Sequence, residues 1–237
     1  MKSTDLADIA AQNISEKMKL WFLRFAEQTN GSKMYEYLSA KIADDEEIMA
    51  LASQGNHAQP IPNLLLASVN YLLYQKPGAE LKNFYPNHDG QFQSGPEFLN
   101  AFHDFCVSHA DEIIPVLKNR SVQTNEVRRC AVLLPAYSMI SKASGGNALT
   151  VIDVGTSGGL NLLFDQFSYD YGAVKIPNNR SSLCLTCEIK GSLQPLIEIP
   201  VVSERFGIDI NPIDLANEDE ALWALSLVKP IQKMKFM

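Results

Sequence analysis

The chain has 237 residues, of which 46% are hydrophobic, 20% charged and 9% aromatic. These values suit a globular protein that buries a core without staples, and they exclude a disordered, collagen-like or disulfide-scaffold chain. The net charge of -7 excludes a general binder of nucleic acid or anionic membranes, whose footprint is basic; small molecules remain, cationic ones in particular.

The opening residues, MKSTDLADIAAQ, carry two aspartates and no apolar stretch. They do not read as a secretory leader. The expected setting is the cytoplasm, with reduced thiols. Residues 14–27 form a helix, with Met18, Trp21, Phe22 and Phe25 at helical intervals. Asp44 and Glu47 have the spacing of a capping box ahead of Ile48. Pro62 suits the first turn of the next helix, over LLLASVNYLLY. This apolar run contains Asn63, Ser68 and Asn70, and is too short and too polar to span a bilayer.

Residues 77–96 are rich in Pro, Gly, Asn and Asp and read as a loop. Residues 96–118 return to helix. Another helix is expected over 121–143, kinked at Pro135 and stopped by Ser144-Gly145-Gly146-Asn147. The pattern then changes. Residues 149–154 are a short β-branched run, suited to a buried parallel strand. A glycine turn and a short helix over 160–167 follow. Residues 169–174 and 183–189 read as a hairpin about the turn PNNRSS. Residues 199–210 are a further strand, and 218–228 a last helix. The fold class is α/β. A helical N-terminal region, 1–120, precedes a partial Rossmann-like parallel sheet with a β-hairpin insertion, 121–237.

Cys184 and Cys187 form a CxxC without further ligands at zinc spacing, and strand alternation would point them to opposite faces. Neither they nor His57, His88, His103 and His109 suggest a metal site.

The informative string is Val151-Ile152-Asp153-Val154-Gly155-Thr156-Ser157-Gly158-Gly159-Leu160-Asn161. Here a strand enters a glycine turn that opens a helix, at the end of a parallel strand where ligands bind. Three chemistries share this geometry. An acyl hydrolase would use Ser157 in G-x-S-x-G, but needs a later histidine, and all four histidines precede Ser157. A nicotinamide or flavin site expects G-x-G-x-x-G, whereas this turn reads G-x-x-G-G, and Asp170, an acid in rough range, sits in what reads as a flap. The third is an S-adenosylmethionine site. A fourth reading is a turn whose glycines merely pack and bind nothing.

Asp153, Gly155, Ser157 and Gly159 resemble the first motif of class I methyltransferases, an acid followed by alternating glycines, with serine replacing the middle one. Phe206-Gly207-Ile208-Asp209-Ile210-Asn211-Pro212 resembles their second motif, with Asp209 as its acid. This resemblance implies S-adenosylmethionine held by Asp153, Gly155, Ser157, Gly159 and Asp209. A carboxylate can accept from both ribose hydroxyls, which suits Asp209. Asp153 would attract the ligand ammonium, directly or through water. The interval between Asp153 and Asp209 is longer than usual, and an inserted flap over about residues 168–200 would account for it.

The whole chain resembles a bacterial domain-of-unknown-function family, the one numbered 2332. The residues that carry this are Pro62-Asn63-Leu64-Leu65-Leu66-Ala67, Val122-Gln123-Thr124-Asn125-Glu126-Val127-Arg128-Arg129-Cys130, the stretch Asp153 to Leu162, and Gly207-Ile208-Asp209-Ile210-Asn211-Pro212. Gln123, Thr124, Asn125 and Glu126 carry two readings: a polar turn that covers the ligand, or a helix start capped by Thr124 or Ser121. The methyltransferase sheet has seven strands, and too few residues follow Leu149 to make them. The chain therefore reads as C-terminally truncated, with weak or absent catalysis. Its sheet edge invites pairing with a second copy. No residue is named as catalytic, and the methyl acceptor is not specified. The competing class is a non-catalytic remnant or interaction protein that uses no cofactor.

Overall fold

The computed structural model describes residues 3–29, 31–123, 126–191 and 197–231, those before residue 15 by backbone alone. The chain divides into two compact units. The first runs to Val122 and resumes at Leu222; the second is Gln123–Ala221.

The first unit is helical: α1 (Ser3–Glu27), α2 (Lys33–Ile42), α3 (Glu46–Ala52), α4 (Ile61–Gln75), α5 (Pro96–Ser108) and α6 (Ala110–Asn119). In α4, Leu64, Leu65, Leu66, Val69, Leu72 and Leu73 are all buried. A helix apolar on nearly every side is one that its neighbours surround. Asn70 is buried there too. Its Nδ2 donates to the Ser226 carbonyl at 3.0 Å, and its Oδ1 accepts from Asn87 Nδ2 at 3.0 Å. His88 Nε2 lies 2.9 Å from the same Oδ1. That oxygen can only accept, so Nε2 carries the ring proton.

Three expectations shift here. The cap of α3 is Asp45, whose carboxylate accepts from the Ile48 N–H at 3.0 Å, and Asp44 instead pairs with Lys19 at 2.6 Å. The loop over 77–96 contains two short 3-10 turns, Glu80–Phe84 and Pro86–His88. The single helix expected over 96–118 is two, α5 and α6, broken at His109, whose φ of -119° and ψ of 20° leave the helical region.

Among its described residues the second unit holds α7 (Arg129–Ala143) and five short strands: β1 (Leu149–Val154), β2 (Ser168–Asp170), β3 (Lys175–Ile176), β4 (Cys184–Thr186) and β5 (Val202–Ile208). The last helix, α8 (Glu218–Ser226), crosses the sequence boundary between the units. α7 starts later than expected and runs through Pro135. Gly145 and Gly146, both at positive φ, end it as anticipated.

β1 and β5 pair in parallel, with Asp153 opposite Gly207 and Val154 opposite Ile208. The expected hairpin is built differently. β2 pairs antiparallel with β3 across a turn at Gly172, and β4 lies parallel to β2 on its other side. Leu185 and Tyr169, opposite each other in that sheet, join a core with Cys130, Ala131, Leu134, Val151 and Phe164. The protein is thus mixed α and β, with a small parallel sheet. No described helix is long and apolar enough to cross a membrane.

Candidate functional site

The β1–β5 ladder has two unlike faces. Val151 points into the core with Cys130, Leu134 and Phe164. Ile152 and Val154, on the opposite face, are 60% and 78% exposed. Phe206 and Ile208, their register partners, are exposed as well.

Asp153 shares the inward side with Val151 by alternation. Its Oδ2 is buried and has no hydrogen-bond partner among the described residues. Two groups of α7 feel its charge. Burial, with a smaller push from Asp153, raises the Cys130 thiol to about 11. Burial and then Asp153 raise the Tyr137 phenol in the same way.

The turn after β1 is left-handed at three positions: Gly155 at φ 81°, Ser157 at φ 51° and Gly159 at φ 73°. A Cβ on Gly155 would meet nothing within 4 Å, so space stands open beside Gly155, whereas a Cβ on Gly158 would fall 3.0 Å from Leu215 Cδ1. The backbone N–H of Gly155 donates to the Ile208 carbonyl at 2.7 Å, which ties the turn to the end of β5. Gly207 makes a close approach possible. A Cβ there would fall 2.7 Å from Thr156 Cγ2.

Asp209 follows β5 directly and is heavily engaged. Its Oδ2 accepts from the Ser157 N–H at 2.8 Å. Its Oδ1 accepts from the Asn211 N–H at 2.9 Å and from Gln123 Nε2 at 3.2 Å. Gln123 also donates to the Asn211 carbonyl at 2.9 Å and accepts from Asn211 Nδ2 at 2.9 Å. The N–H groups of Asn211 and Ser157 hold the Asp209 carboxyl below the usual carboxylate range.

Ser157, Asp209 and Gln123 are therefore drawn into one network, while Asp153 faces Cys130 and Tyr137 instead. A carboxylate offers about four acceptor positions. Those on Asp209 already take protein donors: the N–H groups of Ser157, Asn211 and Ile210 and the Gln123 amide. The turn and Asp153 fit a nucleoside cofactor with a cationic end: there is open space, and there is a buried acceptor without a donor among the described residues. Asp209 fits less fully, because Gln123 holds part of the edge that a ribose diol would use.

A family model described as an uncharacterized protein conserved in bacteria (DUF2332) matches residues 19–236. The chain belongs to this family. The match takes in both carboxylate strings, from Asp153 to Gly159 and from Gly207 to Asn211. No curated protein and no solved structure matches the chain.

Of the polar quartet, Thr124 and Asn125 lie outside the described residues. Glu126 accepts from the Arg128 N–H at 3.1 Å, at the turn that leads into α7. Among the described residues no group of three or more His, Cys, Asp or Glu is arranged to hold a metal. One set of side chains went unread in the sequence. Arg205 Nη2 donates to Asp165 Oδ2 at 2.6 Å and Arg205 Nε donates to the Leu162 carbonyl at 3.0 Å. An arginine at a position of β5 that pairs with buried Val151 was the available signal.

Proposed function

We propose that the β1 turn and the end of β5 bind S-adenosylmethionine, in a methyltransferase-like protein of unspecified acceptor. The observation that carries this is the placement of two acids, Asp153 and Asp209, at the carboxyl ends of adjacent parallel strands, beside a left-handed glycine turn with open space beside Gly155. In this reading Asp153 faces the ammonium of the ligand, Gly155, Ser157 and Gly159 make room for its body, and Asp209 accepts from the ribose. When bound, the cofactor supplies a sulfonium methyl group, transferred by in-line displacement, so alignment of the acceptor provides much of the acceleration. With a two-stranded parallel sheet to build on, turnover by this chain alone is expected to be weak. The four free cysteines accord with a cytoplasmic setting.

Thermal unfolding tests the reading. Saturating S-adenosylhomocysteine should raise the midpoint through linkage, and Asp153→Asn should abolish the rise. An unchanged midpoint in the wild-type chain would count against it.

The outward sheet face supports a second reading, an interaction protein without cofactor. Parallel sheets are normally covered on both faces. Ile152, Val154, Phe206 and Ile208 are bare. A second copy pairing along this sheet would cover them. Ile152→Lys should then convert a dimer to a monomer in light scattering, and a wild-type monomer at every concentration would exclude the pairing.

A further inference from the structure

A cavity of about 490 Å³ opens at the other end of β5. Its polar side is made by Asp165, Gln166, Asn178, Arg180 and Arg205, and its apolar side by residues 199–202. Val202 begins β5 and Asp209 follows its end, roughly 20 Å away at about 3.3 Å per residue. The cavity is therefore separate from the glycine turn, and does not depend on the reading of that turn.

The charges in this cavity do not balance. Asp165 is the one carboxylate among the described residues that line it, and its side chain is 6% exposed. Arg205 pairs with it most closely, at 2.6 Å, through a guanidinium fixed at a second point by the Leu162 carbonyl. Gln166 Nε2 donates to the same oxygen at 2.7 Å. Asp165 Oδ2 is thereby well supplied with donors, whereas Oδ1 is buried and has no hydrogen-bond partner among the described residues. Arg180 comes no nearer to it than 3.7 Å and keeps 67% of its side chain exposed. It makes a second, longer ion pair to the one carboxylate, so two guanidinium groups share a single negative charge among the described lining residues. Position also matters: Asn178 ties the Arg180 segment down, donating through Nδ2 to the Asp165 carbonyl at 2.7 Å and accepting from the Arg180 N–H at 3.1 Å.

The opposite wall is Ile199, Pro200 and Val201, and Val201 is largely exposed. A site that joins a surplus guanidinium to bare apolar surface suits a ligand with an anionic head and a short hydrocarbon body. Guanidinium matches carboxylate and phosphate oxygens in the same two-point way.

We propose that this cavity binds a small amphipathic oxyanion, with its carboxylate or phosphoryl head on Arg180 and its apolar body along Ile199, Pro200 and Val201. Arg205 acts as the fixed floor and Asp165 as the group that holds it.

Backbone amide NMR of the full chain tests this with three probes: butyrate, butyl phosphate and inorganic phosphate. Saturable shifts at residues 178–180 and 199–205 are expected with butyrate or butyl phosphate, and the comparison of those two tells carboxylate from phosphoryl preference. Inorganic phosphate should bind roughly tenfold more weakly than the preferred probe, because it lacks the apolar body. Arg180→Gln, at an exposed position, should leave the spectrum folded and weaken binding by about tenfold or more. No saturable shift with any probe up to about 10 mM overturns the proposal. So does equal binding to the folded Arg180→Gln protein, or equal affinity for inorganic phosphate and the preferred probe.

Discussion

The backbone N–H of Ser157 donates to Asp209 Oδ2 at 2.8 Å from a left-handed conformation, φ 51°. A serine stands where the methyltransferase pattern has glycine, and the backbone takes the conformation that glycine prefers. The tie to Asp209 helps to hold it there. Left-handed backbone costs a non-glycine residue about 1–2 kcal/mol, and glycine gives back about 0.5–1 kcal/mol through its freer unfolded chain. Ser157→Gly should therefore raise stability by up to about 1 kcal/mol. A urea midpoint shifted upward with unchanged slope is the expected result. A marked loss would mean that the serine side chain carries a role of its own.

Asp209 predicts an acid limb. Its carboxyl is held below the usual range by N–H donors in the fold, foremost those of Asn211 and Ser157. A group depressed in the folded state contributes stability above its unfolded value, near 3.9, and loses it as pH falls through the folded value. Asp209→Asn should thus be less stable than wild type at neutral pH. The gap should close below about pH 4. Unfolding curves of both proteins between pH 7 and 3 check this, and a gap constant across that range contradicts it.

His88 titrates on the opposite side of the argument. Burial lowers it to about 4, with a smaller push from the Lys82 charge. Folded His88 stays neutral while the unfolded ring, near 6.5, takes up a proton. Stability from this site is complete above about pH 6.5 and falls as pH drops toward about 4. Ring-proton NMR should show His88 still neutral at pH 5.5. A midpoint near 6.5 would disprove the buried arrangement.

Gly207 makes a steric prediction. An added Cβ would lie 2.7 Å from Thr156 Cγ2 and 3.1 Å from its Cβ, at the point where the turn rests on β5. Gly207→Ala should cost about 1–3 kcal/mol, the usual range for overpacking. Denaturant unfolding measures it. A change of a few tenths would show that the turn can lift off the strand at little expense.

Local patterns exposed much of this fold. Leu149–Val154 reads as a strand from its β-branched run, and Gly145-Gly146 as a stop, because both depend on neighbouring residues alone. The cap of α3 moved from Asp44 to Asp45, since two adjacent acids offer the same local signal and Lys19 takes the first. β3 has two residues, too few for any alternation, and β4 reaches β2 as a parallel partner across an intervening strand, which periodicity does not register. At the candidate site the two acids were visible as strings. The bonds from Gln123 to Asp209 and from Arg205 to Asp165 were not, because each joins polar side chains across a long separation without a local signature. Gln123 nevertheless stood out as part of a polar turn, and its amide now makes a claim of its own. Gln123→Ala should free an acceptor edge of Asp209 and tighten nucleoside binding if that edge receives the ribose.

Calorimetric titration of the full chain with S-adenosylhomocysteine tests the central claim most directly. The account predicts saturable heat, weakened by about tenfold or more in folded Asp153→Asn and Asp209→Asn variants. No heat at millimolar ligand, or wild-type affinity in both variants, would contradict a nucleoside site between these two strands.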